Sequence, residues 1–284
     1  MSEDLTDLRV EGRRAWAALE ALHVVPTFSR ETRTALGALG LRSRSGYFAA
    51  RSAPMGPVPA EVTTAAFYVF APRLVSRALP DAWTVASPAQ VLAASSGAAA
   101  ATLHRLLDGV ASDDEIAEAV GLARTACEGL TVAGRALFAG WASVPWPQEP
   151  LLQLWHAATL LREHRGDGHV AALLHAPLDP VEALLTAGLA GTGLPFSRAT
   201  RGWTDEEWSQ AETRLRARGL LDDDGLTAAG RALRVDVEAR TDAAAVEGWR
   251  RLGLDGTRRL ARLVRPWQQL VLTSGELPHS LFER

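Results

Sequence analysis

The amino-acid sequence predicts a mainly α-helical protein with one or two winged-helix-like modules and at most short β-wings. Three observations carry that expectation. Apolar residues recur at helical spacing through nearly every segment. Acidic helix starts stand at Ser112-Asp113-Asp114-Glu115 and at Thr204-Asp205-Glu206-Glu207. The stretch Arg214 to Leu233, RLRARGLLDDDGLTAAGRAL, reads as the end of a helix, a tight turn and the start of another helix.

Taken in order, Leu8 to Val25 forms a first helix through Val10, Ala15, Trp16, Leu19 and Leu22, and Pro26 ends it. Ser29, Thr32 and the Ala/Leu run beyond them predict a second, short helix closed near Gly40. Pro54, Gly56, Pro57 and Pro59 force a rigid turn, and Pro59-Ala60-Glu61 starts the next helix. Residues 85–140 predict three more helices. Pro145, Pro147 and Pro150 mark the clearest boundary in the chain. It divides an N-terminal helical domain, 1–148, from a C-terminal domain, 149–284, with a winged-helix-like module at 179–242. Leu151 to Arg165 reads as a helix stopped by Gly166 and Gly168, Asp179-Pro180 opens the next, and a short helical tail ends the chain.

One internal echo bears on the organisation. Gly129 to Leu137, GLTVAGRAL, returns as Gly225 to Leu233, GLTAAGRAL, each behind an acidic helix start. A second, degenerate winged-helix-like module at 85–140 accounts for this, and so does chance similarity between Ala/Gly/Leu-rich helices.

Composition removes several function classes. All 30 basic residues are Arg, so a Schiff-base lysine, a pyridoxal-phosphate anchor and a P-loop lysine are excluded. The single cysteine, Cys127, rules out an internal disulfide and reads as buried rather than reactive. A net charge of −3 argues against a broad basic surface for nucleic acid. With no long apolar run and no signal-peptide core, the expectation is a cytoplasmic protein without a membrane partner. There is no Gly-rich phosphate loop and no G-x-S-x-G elbow, and no cofactor is expected. Ala and Arg richness fits a high-GC, actinobacterial origin.

The densest chemistry lies at 154–169, LWHAATLLREHRGDGH. On a helix His156, Thr159 and Glu163 share a face at i, i+3 and i+7, with Arg162 beside them. A turn at Gly166 and Gly168 would bring Asp167 and His169 back toward that face. Glu20 and His23 form a second pair at i and i+3. Imidazole beside carboxylate is general acid/base chemistry, so His156, Glu163, His164, His169, Glu20 and His23 are the catalytic candidates. Tyr47, Arg51, Phe67 and Tyr68, with Phe70 nearby, supply aromatic walls and a cation for a pocket, and Arg162, Arg165 and Asp167 complete the binding candidates. The His spacing matches no established metal motif, and no metal site is expected. The competing account is a structural ion-pair network through Arg162, Glu163 and Arg165 that locks the helix to its neighbours.

A DNA-reading helix needs cations facing phosphate. The helix Thr204 to Arg218 instead leads with Asp205, Glu206 and Glu207, and the turn after it is Asp222-Asp223-Asp224-Gly225. ALEALH at Ala18 to His23, GYFAARSAPMGPVPAEVTTAAFYVF, LWHAATLLREHRGDGHVAAL, RGWTDEEW and RARGLLDDDGLTAAGRALR together resemble a widespread actinobacterial family of uncharacterised helical proteins. That family is usually labelled helix-turn-helix or MarR-like by its C-terminal half, and the resemblance implies fold and lineage rather than an activity. Pro26-Thr27-Phe28 and Val69 depart from its pattern, which suggests a member retuned for another ligand.

Two functions follow as expectations. The first is a small-molecule-binding protein on a scaffold that does not read DNA. It is either a cofactor-free acid/base enzyme (cyclase, isomerase or hydrolase) or a sequestering resistance protein of secondary metabolism. The second is a MarR-like regulator that binds DNA as a homodimer through Arg214, Arg216, Arg218 and Arg231.

Overall fold

Residues 2–283 are described by a computed structural model. The N-terminal helices are α1 (Ser2–Phe28), α2 (Arg30–Ala38), α3 (Ser43–Ser52), α4 (Ala60–Phe67), α5 (Pro72–Ser76), α6 (Ala82–Val85) and α7 (Pro88–Leu107). They are followed by α8 (Asp113–Cys127), α9 (Ala136–Ala142), α10 (Pro150–His175), α11 (Pro180–Ala190), α12 (Leu194–Thr200) and α13 (Asp205–Ala217). A short antiparallel hairpin, β1 (Leu221–Asp222) with β2 (Gly225–Leu226), leads into α14 (Ala228–Thr273). The fold is mainly α, as the apolar periodicity predicts.

Three helix ends differ from the sequence expectation. Pro26 does not end α1, which runs on to Phe28. Leu22 and Val25 are fully buried, and that packing outweighs the hydrogen bond the proline removes. Gly166 and Gly168 do not stop α10 either. A Cβ at Gly168 would lie 2.9 Å from Arg135 Nη1 and 3.0 Å from Ala244 Cβ, so this glycine admits α14 rather than a turn. The C-terminal tail is no short helix but the far half of the 46-residue α14, bent at Gly253 where φ is +77°.

The repeated nonapeptides take different conformations. Both follow helices with a full capping box, Ser112 with Glu115 and Thr204 with Glu207. Gly225 and Leu226 then pair as β2, and α14 begins at Ala228. Residues 129–135 instead form a turn with Gly134 at φ +71°, and α9 begins only at Ala136.

Two hydrophobic cores result. The first gathers Leu19, Leu22, Leu103, Leu154, Val264 and Trp267 from α1, α7, α10 and the far half of α14. The second gathers Leu173, Leu185, Trp208, Leu215, Leu226 and Val237 from the end of α10, α11, α13, the hairpin and the start of α14. Thus α10 and α14 each run through both. No single helix among the described residues is long and apolar enough to cross a membrane.

Candidate functional site

α1, α3 and α10 meet around a buried charge cluster. The Glu163 carboxylate, 2% exposed, receives Arg51 Nη2 on both oxygens at 3.1 Å and Arg162 Nη1 at 2.7 Å. Arg162 Nε also donates to Glu20 at 3.1 Å. Arg51 Nη1 donates to the Tyr47 hydroxyl at 3.2 Å, and its guanidinium lies over the Phe67 ring at 4.2 Å. One turn of α1 beyond Glu20, His23 Nδ1 is 2.8 Å from the Thr159 hydroxyl, which donates to Trp155 O. Trp155 Nε1 in turn donates to His23 O, and the two rings stack with centroids 6.1 Å apart. The i, i+3 pair on α1 therefore faces the 155–163 face of α10, and Glu20, His23, Tyr47, Arg51, Phe67, Arg162 and Glu163 come together.

Electrostatics follow from that geometry. Burial pushes Glu163 upward, but Arg162 and Arg51 outweigh it and hold the carboxyl at about 2. Burial raises Glu20 above its ordinary value, with Arg162 opposing. Burial, reinforced by Arg162, holds His23 well below the usual imidazole range, so it is neutral at pH 7. Burial would also raise Tyr47, yet Arg51, Arg201 and Arg162 bring its phenol below the ordinary value. The cluster is a fixed, positively biased field. Its saturation is incomplete, since Glu20 Oε2 and Arg51 Nε are buried without a hydrogen-bond partner.

The remaining candidates lie elsewhere. His156 is two turns from Glu163 and stands against Trp146 and Trp141, with centroids 4.9 and 6.2 Å away. Burial lowers it to about 4. His164 is edge-on to Phe138 at 5.0 Å and is likewise lowered to about 4 by burial. Asp167 accepts from Phe138 N at 2.9 Å at the start of α9, and burial raises it to about 6. Arg165 joins Glu238 and Asp242 on α14 at 2.9 and 3.2 Å, over the Trp16 ring, and His169 Nδ1 is 2.8 Å from the Thr241 hydroxyl. Because α10 continues through Gly168, Asp167 and His169 do not fold back toward Glu163. Tyr68 donates to Leu178 O, against the second core. Among the described residues no group of three His, Cys, Asp or Glu is placed to hold a metal ion.

One member was missed from the sequence. Arg201, the residue after α12, lies over Phe70 and Phe196, close enough to Tyr47, Arg51 and Arg162 to feel their charges. Nothing local to Arg201-Gly202 marks it, because its partners are distant in sequence.

The arginines around α13 are engaged within the protein. Arg214 Nε and Arg218 Nη1 each donate to Glu182 at 3.0 Å, and Arg214 also reaches Asp179. Arg216 pairs with Asp223 at 2.9 Å, and Arg231 donates to Leu226 O.

A family model described as "Helix-turn-helix family" matches residues 12–278. No curated protein and no solved structure matches the chain.

Proposed function

The chain belongs to this helix-turn-helix family, and we propose that it is a small-molecule-binding protein whose helix-turn-helix scaffold does not read DNA. The observation that carries the reading is the α1–α3–α10 charge cluster, where Glu20 Oε2 and Arg51 Nε are buried with bonding capacity unused. Buried polar groups left unpaired are costly, which supports a ligand that takes up this capacity. Binding fits better than acid/base catalysis. Glu163, held at about 2 by two arginines, is too weak a base, and His23 is committed to Thr159. The sequence of helices α11, α12 and α13, hairpin and α14 supports a winged-helix reading of the C-terminal half. The rival DNA regulator rests on that order alone. Its arginines are spent on Glu182, Asp179, Asp223 and a backbone carbonyl.

Fluorescence anisotropy of a mixed-sequence duplex, with ligand-observed NMR of a small-fragment library, tests this. The expected result is no duplex binding at low salt, and fragment binding lost in both Glu163→Gln and the milder Tyr47→Phe. Duplex binding with a Kd on the order of 10⁻⁶ to 10⁻⁴ M that weakens as salt rises would restore the regulator.

A further inference from the structure

Arg201 carries a feature that the paired part of the cluster leaves unexplained. Its guanidinium lies over the Phe70 and Phe196 rings, 4.5 and 5.2 Å from their centroids. Nη1 donates to the Thr200 hydroxyl at 3.0 Å, while Nε is buried without a partner. Among the described residues no carboxylate pairs with it; the charged groups around it are Arg51 and Arg162, with the Tyr47 phenol. The cluster thus sets three guanidiniums, Arg51, Arg162 and Arg201, against two carboxylates, Glu20 and Glu163. Tyr47, whose ring is 5.7 Å from Phe70, accepts from Arg51 and has no acceptor for its own proton among the described residues. A cation removed from water without a counter-charge is unfavourable until an anion joins it.

We propose that Arg201 and the Tyr47 hydroxyl form the binding site for the carboxylate of a small organic acid with a flat apolar body, seated beside Phe70 and Phe196. This rests on the cluster being a ligand site. Beside the two rings, the in-plane edge that bears Nε is the one left without a hydrogen bond. Nε and Nη2 on that edge match the two oxygens of a planar carboxylate. The tyrosine supplies a further donor, and the adjacent rings supply the apolar wall. Arg201 is partly exposed, which leaves a route in from solvent.

Thermal unfolding with sodium benzoate, sodium phosphate or neutral benzamide, at constant ionic strength in chloride, is the test. Benzoate is expected to raise the midpoint saturably, by about 2 °C or more, with no shift from benzamide or phosphate. Arg201→Met should lose the benzoate shift while unfolding no lower than the parent, because it removes an uncompensated cation. Absorbance at 295 nm gives a second readout that needs no variant. Of the two tyrosines, Tyr47 should ionise at higher pH when benzoate is bound, since the carboxylate offsets the guanidiniums. Equal shifts from benzamide and benzoate would overturn the carboxylate assignment and leave the ligand-binding reading standing. A shift from phosphate alone would overturn the assignment in the same way. No shift from any probe, with Arg201→Met unfolding lower than the parent, would make Arg201 a structural cation between two rings.

Discussion

Lowering the pH from 7 to 5 should cost the protein about 5 kcal/mol of stability, most of it through imidazoles that burial holds neutral. His156 and His164 are 3% and 1% exposed, His169 is half-buried, and burial lowers each from 6.5 to about 4. A depressed imidazole means that the unfolded chain takes up the proton first. The stabilisation is therefore complete above 6.5 and is lost as pH falls toward 4. Linkage gives about 2 kcal/mol for each of the three between pH 7 and 5. Asp167 acts in the opposite sense: its carboxyl, raised from 3.8 to about 6, takes up a proton in the folded state and returns about 1 kcal/mol. His23 adds to the loss and Glu20 opposes it. Urea unfolding across this pH range measures the slope. His156→Phe, placed among Trp141 and Trp146, should remove about 2 kcal/mol of the histidine contribution. Equal stability at pH 7 and 5, or a slope that His156→Phe leaves intact, would refute the reasoning.

Other perturbations have equally definite outcomes. Glu163→Gln strands Arg51 and Arg162 without their shared counter-charge and should lower the unfolding free energy by about 3–5 kcal/mol in denaturant titrations. Gly12→Ala drives a methyl into the Trp249 indole where α1 meets α14, and calorimetry should show a loss of about 1–3 kcal/mol. Burial raises the Cys127 thiol far above its usual range, so Ellman's reagent should label the native protein negligibly and stoichiometrically once urea unfolds it.

Much of the fold was legible because its signals are local. Ser29, Ser112, Asp179 and Thr204 all cap the helices they were expected to start, or stand at their heads. The misread ends at Pro26 and Gly168 share a cause: each is a local breaker overruled by packing against partners distant in the chain. The site was legible in the same proportion. Helical spacing placed Glu20 and His23 on one face, and they meet Arg162 and Thr159 of α10, with Glu163 paired to Arg162. It equally placed His156 beside Glu163, but spacing by angle ignores the two turns of axial distance and the tryptophans that wall it off. Arg201 was invisible because its significance lies in what it lacks, and only the assembled neighbourhood displays a missing carboxylate.

The route of α14 through both cores sets the order in which the protein can be finished. α1 packs most extensively against α14, which lies about 200 residues further along the chain, so the groove that covers α1 closes late in synthesis. At about 5–20 residues per second, some 200 residues of intervening synthesis leave the apolar side of α1 waiting about 10 to 40 s. The second core has no such delay, since α11, α13 and the hairpin are neighbours in sequence and need only the start of α14. The second core can therefore close without the far half of α14, whereas the first cannot.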